Sequence, residues 1–175
     1  DHFTSRFTKK MLVDFYAEII KLNDYCLILK EDSNNLGFLV CGYRTHEAVS
    51  NFIKSHRLSL IRVLLVNPRF AVEKAGQITA KIIKKNKQEI KITPCRLLSI
   101  SVHPDHYRKG IAKSLICELE RRLLENRIME YGLSVKPENT AAIRLYEKLG
   151  FVKEYVDKSI YYKKKLFANQ ISKDH

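Results

Sequence analysis

The residues with the clearest capacity for chemistry lie at positions 97–115, in the run L-L-S-I-S-V-H-P-D-H-Y-R-K-G-I-A-K-S-L. Residues 97–102 are apolar and β-branched and predict a buried strand, which Pro104 and Asp105 end. Ile111, Leu115, Ile116, Leu119 and Leu123 then recur at helical spacing. A helix is therefore expected to start between Arg108 and Gly110 and to run to Asn126. A strand that passes through a short basic loop into a helix gathers backbone N–H groups and the positive end of the helix dipole at one concave spot. That chemistry suits a phosphate or pyrophosphate. Gly110 allows close approach, and Arg108, Lys109 and Lys113 add charge. The same residues also read as an ordinary strand-to-helix turn carrying solvated lysines.

A second stretch decides between these readings. The loop V-H-P-D-H-Y-R-K-G-I-A is followed, about thirty residues on, by N-T-A-A-I-R-L-Y-E-K-L-G-F at 139–151. Together, in this order and spacing, the pair resembles the GNAT superfamily of acetyl-CoA-dependent N-acetyltransferases. The family's loop pattern is Gln or Arg, two residues, Gly, one residue, Gly or Ala. Gly110 and Ala112 fit it, Tyr107 stands at the Gln/Arg position, and the second motif fits throughout. The resemblance covers residues 25–166 apart from a central segment.

The resemblance implies acetyl-CoA as co-substrate and assigns roles to particular residues. Backbone groups of Ile100, Ser101 and Val102 would pair with the amide-bearing pantetheine arm as an added strand does. Tyr107, Arg108, Lys109, Gly110, Ile111 and Ala112 would take the pyrophosphate, in a gap where neighbouring strands splay apart. Asn139 matches a residue that contacts the cofactor, although it also reads as a plain helix N-cap. Tyr146 matches the tyrosine used as general acid and cofactor contact; taken alone, beside Ile143 and Leu145, it would read as core. The positions where relatives carry a carboxylate base are Arg96 and Ser134, and neither can serve. His103 and His106 are expected to be exposed, Glu130 and Asp14 are remote alternatives, and no base is assigned.

The wider sequence fits one acetyltransferase domain spanning 1–175. Of its 175 residues, 45% are hydrophobic, enough to build a core. No run of about 18 apolar residues predicts a membrane span. Cys26, Cys41, Cys95 and Cys117 lack metal or redox spacing and read as buried free thiols of a reducing, cytoplasmic protein. An amphipathic helix is expected over 8–20 behind Thr8, then a hairpin of strands 25–30 and 36–43. A strand at 131–135, a helix at 139–149 closed by Gly150, and a hairpin of 151–155 with 160–166 follow; 167–175 is a tail. The resemblance implies one more strand before the first helix, which the residues ahead of Thr8 do not include: either the sequence starts inside the domain or that strand is absent. The fold class is α+β, a GNAT-like mixed, mostly antiparallel central sheet with helices on both faces and a helical insertion.

That insertion, residues 45–94, is not required by the family's core. Val49, Phe52, Ile53, His56, Leu60, Val63 and Leu64 form one helical stripe behind a Thr45 N-cap, ended at 67–69. A second helix is expected over 70–85, then a basic turn over 84–91. Ten Lys/Arg against three Asp/Glu give the insertion a net +7 of the chain's formal +13. It reads either as a solubilised surface segment or as an acceptor-binding flap using Arg57, Arg62 and Lys81. The charge favours anionic partners. No nucleic-acid-binding pattern accompanies it. The expected activity is acetyl transfer to a small-molecule primary amine, anionic or sugar-borne. A protein N-terminal acetyltransferase and a non-catalytic acetyl-CoA-binding or membrane-surface module are the alternatives, and a homodimer is compatible with each.

Overall fold

The computed structural model describes residues 7–66 and 92–167, which fall into two compact units. The first is helical. Thr8 opens α1 (Lys9–Leu22): its hydroxyl accepts from the Met11 N–H at 3.2 Å, satisfying one of the orphan donors of a helix start. Met11, Phe15 and Ile19, at spacings of four, are the buried stripe. Phe15 meets the buried Phe52 of α2 (Thr45–Ser55) edge to face, with centroids 5.1 Å apart. The stripe expected to run unbroken to Leu64 is interrupted at His56, and α3 (Arg57–Val66) begins after it. The His56 N–H donates to the Phe52 carbonyl at 3.0 Å and its Nδ1 lies 3.3 Å from the same oxygen. Its ring stacks on Phe52, while Nε2 reaches Asp14 at 3.1 Å. The helix expected over 70–85, the turn over 84–91 and the tail after Phe167 lie outside the described residues.

The second unit holds six strands: β1 (Tyr25–Glu31), β2 (Asn34–Gly42), β3 (Arg96–Val102), β4 (Glu130–Val135), β5 (Val152–Val156) and β6 (Ile160–Lys165). They form one sheet in the order β1-β2-β3-β4-β6-β5, antiparallel everywhere except between β3 and β4. The mixed, mostly antiparallel sheet is the expected one. The parallel pair requires a crossover, supplied by α4 (Ile111–Glu125); α5 (Thr140–Lys148) links β4 to β5.

Alternation selects what is buried. Tyr131, Leu133 and Val135 of β4 point into the core, joined by Leu39, Leu97 and Tyr162 from other strands. Leu115, Ile116, Leu119 and Leu123 of α4 and Tyr146 of α5 close the same cluster. Two buried tyrosines have paired hydroxyls: Glu120 accepts from the Tyr131 hydroxyl at 2.7 Å and from Lys164 at 2.6 Å, and Glu147 from the Tyr162 hydroxyl at 2.8 Å. Cys41 and Cys95 are buried free thiols with sulfurs 3.8 Å apart, whereas Cys26 and Cys117 are only half-buried. The hydrogen bond to Cys95 and burial push the Cys41 thiol up. No described helix is long and apolar enough to cross a membrane.

Candidate functional site

The site begins where β3 and β4 part. Only Arg96 opposite Gly132 and Leu97 opposite Leu133 join these parallel strands. Beyond them the strands diverge, the splay that the resemblance implied. A bulge accompanies it: Val40 of β2 faces Ser99 and Cys41 faces Leu97, so Leu98 is an extra residue on β3.

The bulge also reverses the direction of the backbone groups. Before it, the Cys95 carbonyl accepts from the Gly132 N–H at 2.9 Å, so alternate residues turn toward β4. After it, the His103 N–H donates to the Leu36 carbonyl of the β2 side at 2.7 Å. Counting back by twos, Ser101 and Ser99 turn their groups to β2 as well. Ile100 and Val102 are left directing N–H and C=O toward the edge that β4 has vacated. Of the three expected cofactor-strand residues, two therefore offer free backbone and Ser101 does not.

The same edge leads to the start of α4. The helix begins at Ile111 rather than near Arg108, because the loop ahead of it holds two left-handed residues, Arg108 (φ 61°) and Gly110 (φ 82°). Gly110 is the N-cap and offers no side chain, so the first-turn N–H groups of Ile111 and Ala112 are open to an anion. A Cβ built on Gly110 would meet nothing within 4 Å. Its requirement for glycine is thus conformational, with open space in front. Tyr107, Arg108 and Lys109 are exposed beside it. Gly37 seats the helix end: a Cβ there would fall 2.7 Å from the Ser101 carbonyl, 3.2 Å from Ile111 and 3.3 Å from Leu115. His103 caps the 3-10 turn Pro104–His106 and His106 ends it, their rings 5.8 Å apart.

Asn139 caps α5, its side-chain oxygen accepting from the Ala142 N–H at 3.2 Å, and is otherwise exposed. Tyr146 is buried on the core side against Phe151. Burial alone pushes its phenol up to about 12; no charged or hydrogen-bonding neighbour contributes. A phenol so placed stays protonated across the physiological range and keeps its O–H uncommitted.

Neither Arg96 nor Ser134 leaves a carboxylate where the resemblance would put one, but a distant carboxylate comes to Arg96. Glu154, at the irregularity of β5 between Lys153 and Tyr155, accepts from the Thr93 N–H at 3.1 Å and its hydroxyl at 2.8 Å. Its second oxygen lies 3.8 Å from Arg96 Nη1. The guanidinium stacks over Tyr161, 5.2 Å from the ring centroid, and burial draws its pKa down against the opposing pull of Glu154. Nothing local in the sequence signals a pair 58 residues apart; an Arg and a Glu on half-buried strands were the only hint. Glu130 is exposed, and Asp14 is bonded to His56 in the helical unit.

The comparisons with known proteins bear on this geometry. The fold is similar to that of the PaiA N-acetyltransferase of Thermoplasma acidophilum, solved in complex with coenzyme A (TM-score 0.54, 19% identity, covering 93% of this chain and 74% of that one). An acetyltransferase of Sodalis glossinidius (strain morsitans) is 37% identical over 71 residues, 41% of this chain and 49% of that protein. The ribosomal protein bS18 alanine N-acetyltransferase of Escherichia coli (strain K12) is 32% identical over 73 residues, 42% of this chain and 49% of that protein. The chain thus spans about half the length of the curated relatives it matches. The model described as Acetyltransferase (GNAT) family matches residues 1–151, and the chain belongs to that family.

Proposed function

We propose that this chain transfers the acetyl group of acetyl-CoA to a primary amine by direct attack, with both substrates bound together. The observation that carries the reading is the fork between β3 and β4, whose open backbone edge runs to the uncapped start of α4. Acetyl-CoA supplies a thioester, already activated toward amines. Ile100 and Val102 pair with the amide groups of its pantetheine arm, as an added strand would. Tyr107, Arg108, Lys109, Gly110, Ile111 and Ala112 hold the pyrophosphate through charge and backbone N–H groups. Asn139 contacts the cofactor at the α5 end. Held in this way, the acetyl carbon faces an incoming amine with little orientational freedom left to lose.

Tyr146 supplies the leaving group with a hydrogen bond and, as charge builds on sulfur, its proton. Its raised pKa keeps that proton in place until it is needed. The basic charge of residues 45–94 favours an anionic acceptor, and Lys54 and Arg57 are exposed in the helical unit. The free thiols and the use of acetyl-CoA support a cytoplasmic setting. A second reading, acetylation of a protein N-terminus, draws on the relative whose name specifies the alanine of a ribosomal protein.

The test is thiol release from acetyl-CoA with a panel of amino acids, amino sugars, nucleotide-linked amino sugars and N-terminal peptides. Release that depends on one acceptor class supports the proposal and identifies the class. Tight acetyl-CoA binding with no release for any amine would favour a non-catalytic module.

A further inference from the structure

The fork has two faces, and they differ in chemistry. The core face is filled by Leu97, Leu119, Leu133 and Tyr146, all buried in one apolar cluster. On the other face β4 shows Glu130, Gly132 and Ser134. A Cβ on Gly132 would stand 3.0 Å from Arg96 Nη1, so the missing side chain is what lets the guanidinium lie across the strand. Beside β4 this face carries the polar group of Arg96, Tyr161 and Glu154, apart from the apolar cluster.

Arg96 and Glu154 are firmly held on this face, yet incompletely satisfied. Thr93 fixes Glu154 through Oε1, and Tyr161 supports the guanidinium. Arg96 Nη2 and Glu154 Oε2 are both buried and make no hydrogen bond. Their side chains are 12% and 10% exposed, and the 3.8 Å between Nη1 and Oε2 is too long for a hydrogen bond. A buried charged donor and acceptor left in this state are costly, and such groups in folded proteins are ordinarily satisfied by something. One unpaired N–H and one unpaired carboxylate oxygen, on two side chains of one ion pair, match a ligand presenting an amine and an oxygen close together.

We infer that Arg96 and Glu154 form the pair that reads the acceptor. Glu154 Oε2 receives the N–H groups of the amine, and Arg96 Nη2 donates to a carboxylate or carbonyl oxygen two or three bonds away. The inference rests on the proposed acetyl transfer and narrows its acceptor to amines of α-amino type. An anionic oxygen beside the amine also agrees with the chain's positive charge. Arg96 and Glu154 position the acceptor; neither takes part in bond making.

The experiment measures thiol release by the whole chain with alanine, alaninamide, glucosamine and ethylamine, the last being alanine without its carboxyl. Wild type is expected to favour alanine and alaninamide over ethylamine. Arg96→Met should cut kcat/KM for the two oxygen-bearing acceptors by about 10- to 100-fold, the scale of a lost charge-assisted hydrogen bond. Ethylamine should stay within about threefold, because it never made the contact. Glucosamine separates a neighbouring hydroxyl from a carbonyl or carboxylate. Glu154→Gln should lower kcat/KM for every amine. The double variant Arg96→Met/Glu154→Met replaces a buried ion pair with an apolar one, a change proteins commonly tolerate. It should keep wild-type acetyl-CoA affinity while losing the acceptor preference. A preference that survives Arg96→Met would overturn the inference. If wild type binds acetyl-CoA but releases no thiol, the transfer reading fails. The pair is then judged by the Arg96 side-chain NMR signal of coenzyme-A-loaded protein titrated with alaninamide, where absence of a shift overturns it.

Discussion

Replacing Tyr146 with phenylalanine should move stability and activity in opposite directions. The phenol ring is largely buried, and burial is what holds its pKa up at about 12. Removing the hydroxyl should raise stability by up to about 1 kcal/mol, since the group loses water on folding and no charged neighbour compensates it. For a chain of this size that raises Tm by about 2–4 °C. Catalysis should suffer, since loss of a general acid costs about 10²- to 10⁴-fold in kcat. Acetyl-CoA affinity should hardly change, because the contact strengthens only as charge develops on sulfur. The assay pairs a thermal melt and a calorimetric titration with kcat measured where chemistry limits the rate. A lower Tm with unchanged kcat would refute the reasoning and return Tyr146 to a purely structural role. The pH dependence carries the same sign. Below pH 10 the phenol is protonated in both folded and unfolded chains and contributes no slope. Between 10 and about 12 the unfolded phenol ionises and the folded one does not, so its contribution to stability falls as pH rises. A loss of kcat below pH 9 must therefore come from another group.

Three further outcomes are expected. Gly110→Glu should abolish acetyl-CoA binding by calorimetry, since it strains a left-handed position and points a negative charge into the space reserved for pyrophosphate. Gly37→Ala should cost about 1–3 kcal/mol in denaturant unfolding and weaken acetyl-CoA affinity, because its Cβ would push Ile111 and Leu115 at the start of α4. Lys54→Glu with Arg57→Glu should raise KM for an anionic acceptor at low salt while sparing acetyl-CoA. The difference should shrink as the screening length falls from about 10 Å at 0.1 M to about 3 Å at 1 M salt. Release from anionic vesicles without a change in KM would point to the membrane-surface alternative instead.

What could be read from the sequence is what local chemistry dictates. The Asn139 cap and Gly150 stop frame α5, here within a residue of the expected ends, because capping depends on a few adjacent groups. The strand expected over 131–135 is β4, one residue longer at its start. The helix starts one residue past the expected 108–110 window, since charged Arg108 gives no sign of its left-handed backbone. The break at His56 turns on Asp14, 42 residues away. The bulge at Leu98 has no mark in the run L-L-S-I-S-V, because it exists only in the register with β2. That bulge decides which backbone groups face the fork: those of Ile100 and Val102 do, and those of Ser101 turn to β2. The Arg96–Glu154 pair was missed for the same reason: it depends on strand order, the bareness of Gly132 and the irregularity in β5.

The central claim is that the β3–β4 fork and the start of α4 bind acetyl-CoA. An amide NMR titration of the chain with coenzyme A tests it most directly. The account predicts the largest shifts at Ile100, Val102, Gly110, Ile111 and Ala112, with Ser99 and Ser101 less affected because their N–H groups are turned to β2. Shifts that spare these five amides, or that cluster on the helical unit, would contradict it.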